Sequence, residues 1–365
     1  MQKTMGDMAK FMKQLIPANI PETYTINSMF TNISDEVDIR NAIIAFRDFM
    51  YRVCDYLITD NSLSNVPKKG KNEFSDEITL TVEFPFLNNI RSVLINIGHH
   101  GMLSENGDSL LINDWEALSI KKSLNKNSTA TISAPQMIKS IRFLTECGIN
   151  FEGIDLSIKK PDTSKIQALK ITFPEYPIML TGLKVMAIAE NELSTRNNNY
   201  TLLRCDYRVL KEKDTESSAV LKDFVYPLDA SMQELVLHFH QHYLDLGMEC
   251  NVDSGMFSVH FIYSYKRKAI WRFSISLNNG YRIILKTKNT SKYTDVIQSF
   301  PEFLQEKITK GYVCDRKKGS GHGNCQRGCE GFSFSFDESL LDLSQDLEKW
   351  LDSELLSMQK KNDRK

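Results

Sequence analysis

The chain has none of the short motifs that would name a reaction. It contains no Gly-rich phosphate loop ending in Lys-Ser or Lys-Thr, no G-x-G-x-x-G dinucleotide fingerprint and no G-x-S-x-G nucleophile elbow. It also lacks any run of about 18 consecutive apolar residues, so we expect no transmembrane helix. The formal net charge is only −1, so we do not expect the molecule to bind a polyanion by its bulk charge. Sequence motifs therefore leave the substrate and the reaction open.

What the chain does contain is typical of a globular protein. Of its 365 residues, 41% are hydrophobic and 25% are charged, and this length predicts two or three domains. The first 20 residues are interrupted by charged side chains and contain no apolar core of a signal peptide. We therefore expect a cytoplasmic protein without a membrane partner, in which the seven cysteines are reduced, metal-bound or buried.

Apolar side chains that recur every three or four residues predict the helices. The first long one is expected over residues 35–58, with Ser34 or Asp35 as its cap. Ser133 and Gln136 form a capping-box pattern that predicts another helix start. Further helices are expected over residues 178–193, 231–246, 292–309 and from 337 onward. Gly148 and Gly247 are expected to end two of the helices, because glycine adopts the left-handed conformation readily.

Alternating apolar and polar residues predict the strands. They are expected over residues 78–84, 93–97, 110–112, 149–158, 169–173, 200–210, 257–265, 269–277, 281–287 and 331–336. The short connections in the last third of the chain predict antiparallel hairpins. Residues 121–130 and 211–219 are polar and aperiodic, which indicates exposed connections.

Together these elements predict an α+β fold of tandem helix-plus-antiparallel-sheet units, with a C-terminal Cys/His loop and a closing helix. We expect an N-terminal helix and sheet unit over 1–130, a middle α+β unit over 131–227 and a C-terminal α+β unit with the loop over 228–365. A helix followed by strands occurs at 133–173 and again at 229–287, which suggests a weak internal repeat. Residues 35–97 are a candidate for a third, longer copy.

The most distinctive stretch is a Gly-rich loop that carries three cysteines and one histidine. Cys314, His322, Cys325 and Cys329 follow the spacing C-x7-H-x2-C-x3-C. Four nitrogen and sulfur ligands are the set that a structural zinc ion prefers, and a metal could replace the core that this loop lacks. We therefore predict one structural zinc ion bound by these four residues.

Other interpretations of this loop stay open, because its spacing matches no common zinc-site pattern. The loop could hold no metal, two of its cysteines could form a disulfide or act in redox chemistry, or Cys325 and Cys329 could simply pack. If His322 is not a ligand, Cys250 is the nearest spare cysteine in the sequence.

Histidines provide two candidate sites for a hydrolase-like enzyme. His99 and His100 precede Asp114 and Glu116, an arrangement that could provide an acid and a base. His238 and His242 lie four residues apart on a predicted helix, so both could face one metal ion, but Phe239 stands where a metalloprotease has its glutamate. In each case the ordinary interpretation, as turn residues or as the solvated flank of a helix, is favoured.

A basic and aromatic run, YSYKRKAIWR over residues 263–272, is a candidate nucleic-acid contact. Its central lysines and arginine occupy a predicted hairpin turn, where charge is also expected for structural reasons. The aromatic residues of the neighbouring strands could instead line a groove for a small ligand, although alternate ones must face the core: Tyr263, Tyr265, Trp271, Phe273 and Tyr281.

Two regions resemble a family of uncharacterised bacterial proteins of similar length. They are FPEYPIMLTGLKVMAIAENEL at 173–193 with the following LLRCDYRVL, and the cysteine region after AIWRFSI. The resemblance implies no established activity and transfers no catalytic residue. In such relatives the C-terminal cluster is richer in cysteine than it is here.

The sequence thus favours a non-catalytic module that binds a small ligand or a protein partner and carries a structural zinc ion. Nucleic-acid binding through the basic Cys/His loop and the hairpin is one alternative. A hydrolase-like enzyme that uses His99 and His100, or His238 and His242, is the other.

Overall fold

The structure is a computed structural model, and it describes most of the chain. The described residues are 3–59, 84–122, 129–158, 162, 166–193, 200–213, 215–255, 257–312 and 332–359. They form two compact units, the first ending at Thr215 and the second starting at Glu216. The fold is α+β, and the strand pairs within both units are antiparallel. In this part of the chain, no helix is both long and apolar enough to cross a membrane.

The first unit combines helices with a small sheet. Its helices are α1 (Met5–Leu15), α2 (Glu36–Thr59), α3 (Pro85–His100), α4 (Ala134–Glu146) and α5 (Met179–Leu193), with 3-10 helices over Trp115–Ser119 and Tyr207–Leu210. Its strands are β1 (Met102–Leu103), β2 (Ser109–Ile112), β3 (Ile120–Lys122), β4 (Thr129–Thr131), β5 (Asn150–Glu152) and β6 (Leu169–Thr172). One sheet has the order β1-β2-β6-β5, and β3 pairs with β4. Residues of the first two units expected from the sequence, 1–130 and 131–227, therefore share one sheet.

Helices α2, α3 and α5 pack closely because two glycines stand at their contacts. A methyl group added to Gly182 would lie 2.8 Å from the carbonyl carbon of Ala42 and 2.8 Å from Cβ of Phe46. A methyl group added to Gly98 would lie 2.7 Å from the carbonyl oxygen of Leu183. Atoms cannot approach so closely without displacement, so these glycines set the spacing between the helix axes.

The second unit packs helices on one larger sheet. Its helices are α6 (Ser217–Val225), α7 (Ala230–Asp245), α8 (Thr294–Gln298), α9 (Glu302–Tyr312) and α10 (Glu338–Gln359), with a 3-10 helix over Thr290–Lys292. Its strands are β7 (Glu249–Ser254), β8 (Ser258–Tyr265), β9 (Lys268–Ser276), β10 (Gly280–Leu285) and β11 (Phe332–Ser335). The strand order is β11-β10-β9-β8-β7, so every strand pairs with a chain neighbour, as expected from hairpins.

Aromatic side chains form the core of the second unit. Tyr263 of β8 and Trp271 of β9 are cross-strand partners whose rings stack with centroids 3.7 Å apart. From α7, Phe239 and Tyr243 pack edge-on against Trp271 at centroid distances of 5.9 and 5.5 Å. All four side chains are fully buried. Burial of aromatic rings of this size contributes much of the stabilisation of such a core.

Several helix predictions are confirmed, and their caps explain why. Asp35 accepts the backbone N–H of Asp38 at 2.9 Å at the start of α2, and Ser133 and Gln136 form the capping box of α4. Gly148 and Gly247 have φ values of +104° and +82°, in the left-handed region that favours glycine. The strands predicted over 110–112, 169–173, 257–265, 269–277, 281–287 and 331–336 are confirmed with small shifts at their ends.

The strand predicted over residues 93–97 is wrong, because these residues belong to α3. An apolar stripe at the three-and-four spacing of a helix is present, formed by Phe86, Leu87, Ile90, Val93, Leu94 and Ile97. Positions on the other sides of the helix are buried as well, and Ile95 is one of them. The alternation of Val93, Ile95 and Ile97 therefore gave a false strand signal. Residues 93–97 therefore provide no second strand for the repeat copy proposed over 35–97. The repeat between 133–173 and 229–287 stays a prediction.

Other element predictions are also wrong. Residues 200–210 form turns and a 3-10 helix instead of a strand, with positive φ at Tyr200 and Cys205. The strand predicted over 149–158 ends at Glu152, and Arg142 binds the carbonyl oxygens of the turn that follows. The predicted linker 121–130 carries the paired ends of β3 and β4, and α6 begins inside the predicted connection 211–219. Strand β7 was not predicted, and most of the strand predicted over 78–84 lies outside the described residues.

Candidate functional site

The hairpin between β8 and β9 holds two basic residues in an unusual backbone conformation. Tyr265 pairs with Lys268, so the loop consists of Lys266 and Arg267 alone. Their φ values are +49° and +65°, which is the signature of a type I′ turn. Asn-Gly is the usual choice there, because other side chains cost roughly 1–2 kcal/mol per residue in this region. The turn therefore presents two cations at some cost in backbone energy.

Further lysines reach the same place from strand β10. The chain that leaves β10 continues alongside β9, and the N–H of Lys286 donates to the carbonyl oxygen of Ile270 at 2.6 Å. The register between β8 and β9 shifts after Tyr263, so β9 has one extra residue at this point. Such a bulge bends the strand locally, and both Ala269 and Ile270 line the groove described next.

These segments enclose a groove of about 440 Å³. Four lysines line it, together with an apolar side and two polar groups from the chain after β10 and from α10. The lining residues are Tyr265, Lys266, Lys268, Ala269, Ile270, Lys286, Lys288, Asn289, Glu354 and Met358. The volume lies in the range of small-molecule sites, which is about 300–1,000 Å³. All of these residues belong to the second unit.

Glu354 of α10 organises one wall of this groove. One carboxylate oxygen accepts the backbone N–H of Lys288 at 2.9 Å and Nδ2 of Asn289 at 2.7 Å. The other accepts the backbone N–H of Asn289 at 3.0 Å and the hydroxyl of Tyr293. Glu354 is only 2% exposed, and each oxygen already accepts two hydrogen bonds. Both oxygens of this carboxylate therefore hold the chain segment that carries Lys288 and Asn289 against α10.

Most of the aromatic residues that the sequence suggested as groove lining lie elsewhere in the second unit. Tyr263, Trp271 and Phe273 are fully buried in the core. Tyr281 donates its hydroxyl to the carbonyl oxygen of Phe224 at 3.2 Å. Only Tyr265 of the five lines the lysine groove, while the burial of Tyr263, Trp271 and Phe273 fits the expectation that alternate aromatic residues face the core.

The predicted zinc ligands Cys314, His322, Cys325 and Cys329 lie outside the described residues, so the zinc site stays a prediction. Cys250, the spare ligand, is on β7 opposite Tyr263. Burial raises the pKa of its thiol to about 11. The thiol is therefore protonated at neutral pH, which makes it a poor metal ligand without a change in its surroundings.

The structure places the candidate catalytic histidines on helices. His99 and His100 end α3, while Asp114 caps the 3-10 helix that follows by accepting the N–H of Glu116 at 2.9 Å. His238 and His242 share one face of α7, where their rings stack with centroids 5.8 Å apart. They meet Glu348 and Asp352 of α10, which the sequence did not connect with them.

The third histidine of α7, His240, is buried in a hydrogen-bonded cluster that the sequence did not indicate. Its Nε2 lies 2.8 Å from the Ser218 hydroxyl and its Nδ1 lies 2.7 Å from the Tyr263 hydroxyl. Burial lowers the pKa of His240, so its ring is neutral at pH 7. A neutral ring offers one donor and one acceptor, which two hydroxyl groups can satisfy.

Comparisons with protein-family models, with curated proteins and with solved structures give no match to this chain.

Proposed function

We propose that the second unit is a non-catalytic module that binds a small anionic molecule in the lysine groove. The observation that carries this proposal is the convergence of Lys266, Lys268, Lys286 and Lys288 on one groove of small-molecule size. Lysine ammonium groups bind phosphate and carboxylate as point charges. The one carboxylate of the lining has its oxygens occupied, so it offers a ligand little competition for the lysines.

The other side of the groove indicates what the non-ionic part of the ligand is like. Ala269, Met358 and the ring of Tyr265, all partly exposed, give it an apolar surface beside the cations. A ligand that combines a phosphate or two carboxylates with an apolar or aromatic part would use both. A nucleoside diphosphate combines both parts, whereas pyrophosphate has the phosphate groups but no apolar or aromatic part.

Nucleic-acid binding is the second candidate, because the same lysines form part of a basic hairpin with an aromatic ring. Phosphate contacts along a strand would extend beyond one groove, and the affinity would fall steeply as the salt concentration rises. The net charge of −1 gives such binding little help from the rest of the molecule.

The proposal has two further parts that rest on the sequence. One is a structural zinc ion bound by Cys314, His322, Cys325 and Cys329, supported by their residue types and spacing. The other is a cytoplasmic location, supported by the cysteine content. The enzyme alternatives concern other residues, His99 and His100 or His238 and His242, and stay predictions.

Calorimetric titration of the full chain with ADP, pyrophosphate and a single-stranded oligonucleotide tests the proposed function. The groove variant is Lys286→Gln with Lys288→Gln. The control is Lys222→Gln with Lys310→Gln, which makes the same charge change on helices outside the groove lining. We expect ADP to bind the native chain. Its affinity should be at least about tenfold lower for the groove variant and nearly unchanged for the control variant.

Each other result counts against the small-anion proposal. If neither ADP nor pyrophosphate binds, or if the groove variant binds them as the native chain does, the lysines do not form such a site. If only the oligonucleotide binds, and its affinity falls steeply with salt, the nucleic-acid alternative replaces it.

A further inference from the structure

Helices α7 and α10 bring four potential metal ligands together. His238 and His242 are one turn apart on α7, and Glu348 and Asp352 are one turn apart on α10. Residues separated by four positions point to the same side of a helix. Each helix therefore offers a pair of donors to the other, two imidazoles on one side and two carboxylates on the opposite side.

The distances between the donor atoms of His242, Glu348 and Asp352 suit one small ion. Nε2 of His242 lies 3.2 Å from Oδ1 of Asp352 and 3.7 Å from Oε1 of Glu348. Nε2 of His238 lies 3.1 Å from Oε2 of Glu348. Ligands held at about 2.05 Å from a tetrahedral zinc ion are about 3.3 Å from one another. Donor atoms of His242, Glu348 and Asp352 all lie within 4.8 Å of each other. His238 lies outside this set of three and joins it through its contact with Oε2 of Glu348.

Contacts beside this cluster also hold α7 and α10 together. The hydroxyl of Tyr243, next to His242, donates to the carbonyl oxygen of Glu348 at 3.2 Å. Tyr243 is fully buried against Trp271, and Trp350 and Leu351 anchor α10 in the core. Ligands on packed helices keep their geometry better than ligands on loops.

Charge and accessibility also favour an ion. Two carboxylates balance the charge of a divalent cation, and two imidazoles select transition metals over calcium and magnesium. The four side chains are between 28% and 54% exposed, so an ion can enter from the solvent. Without an ion, the same contacts are histidine–carboxylate pairs near a helix surface, which stabilise a protein little.

We propose that His238, His242, Glu348 and Asp352 bind one divalent transition-metal ion, with zinc as the expected species. This site is separate from the zinc site predicted in the loop 314–329. It has nitrogen and oxygen ligands only, whereas the predicted loop site is dominated by thiolates. The difference gives the two sites different spectra with cobalt(II), which takes the place of zinc in many proteins.

The test is a titration of the full chain with cobalt(II), made in the background Cys325→Ser with Cys329→Ser. This background weakens any binding by the loop. A nitrogen and oxygen site gives weak visible absorption bands, without the strong near-ultraviolet band of cobalt–thiolate bonds. We expect one equivalent of such cobalt, which zinc displaces, and a rise of the melting temperature with zinc by mass action.

Single variants then assign the ligands. His242→Gln, Asp352→Asn and His238→Gln should each weaken cobalt binding at least about tenfold, since the loss of even a supporting group costs about 10–100-fold. Asp342→Asn, an exposed carboxylate on α10, is the control and should bind as the background does. Far-ultraviolet circular dichroism checks that each variant is folded. If His242→Gln does not fold, Asp352→Asn still tests the site.

No visible cobalt bands in the cysteine background, or equal binding by Asp352→Asn and Asp342→Asn, would overturn the proposal. Unchanged binding by His238→Gln would remove it from the ligand set and so contradict the four-ligand site. Neither result bears on the lysine groove, because ADP binding is measured on different residues.

Discussion

The carboxylate of Glu354 accepts the backbone N–H of Lys288 at 2.9 Å, across 66 positions of the chain. This contact ties the closing helix α10 to the segment that follows β10 and carries two groove lysines. The geometry of the lysine groove therefore depends on a residue that would not be expected to contact an anion.

Glu354→Ala should lower both stability and ligand binding. The substitution leaves the N–H groups of Lys288 and Asn289 and the Tyr293 hydroxyl without their acceptor, at a cost of about 3 kcal/mol in the free energy of unfolding. Denaturant unfolding measures this loss, and Asp342→Ala on the exposed side of the same helix is the control. Equal stability of the two variants would contradict the organising role of Glu354.

Substitutions in the hairpin turn should raise stability and weaken ligand binding. Lys266→Asn with Arg267→Gly replaces two strained residues by the pair that a type I′ turn prefers, so the melting temperature should rise, by an amount that corresponds to about 1 kcal/mol. The same change removes the Lys266 ammonium group from the groove, so ADP binding should weaken. A variant that is more stable and binds ADP as the native chain does would show that Lys266 plays no part in binding.

Packing of the first unit should depend on Gly182. Gly182→Ala forces a methyl group against Ala42 and Phe46, and overpacking of this kind costs about 1–3 kcal/mol. Gly6→Ala is the matched control, because the added methyl group would lie 3.6 Å from its nearest neighbours, the Thr4 hydroxyl and the carbonyl oxygen of Ile58. That control should stabilise the helix by about 0.5 kcal/mol. Equal melting temperatures of the two variants would contradict the close packing of the helices.

His240 should make stability depend on pH in a defined direction. Burial lowers its pKa in the folded state, whereas the unfolded imidazole has a pKa of about 6.5. The unfolded chain therefore binds this proton more readily, and the stability from neutral His240 is lost as the pH falls below about 6.5. The slope from this residue is at most about 1.4 kcal/mol per pH unit.

Unfolding measured between pH 7.5 and pH 5.5, about one unit either side of this value, checks the prediction. His240→Gln should have a flatter pH dependence than the native chain. Tyr263→Phe is the control, because it removes one hydrogen bond, worth about 1 kcal/mol, and keeps the imidazole. Parallel pH curves for the native chain and His240→Gln would show that His240 is not the group responsible.

Local signals in the sequence predicted those elements whose structure is decided locally. The cap at Ser133, the stops at Gly148 and Gly247 and the hairpins of the second unit are of this kind, and they are confirmed. Helix α3 carries two conflicting local signals. Ile90, Val93 and Ile97 follow helical spacing, but its neighbours cover the helix on all sides, so Ile95 is apolar and buried too. The resulting alternation of Val93, Ile95 and Ile97 gave a false strand signal.

The candidate sites show the same limit. The sequence indicated the basic hairpin and the pair His238 and His242, because each lies within one element. It could not connect Lys288 with Glu354, or His238 with Glu348 110 positions later. These pairs meet through the packing of α10 in the second unit, which no short window of sequence contains.

Lysine footprinting tests the lysine groove most directly. The full chain is acylated with an amine-reactive reagent, with and without saturating ADP, and the modification rate at each lysine is read by mass spectrometry. We expect ADP to slow the modification of Lys266, Lys268, Lys286 and Lys288, while Lys222 and Lys310 react at unchanged rates. Unchanged rates at the four groove lysines, or protection confined to other lysines, would contradict an anion site in this groove.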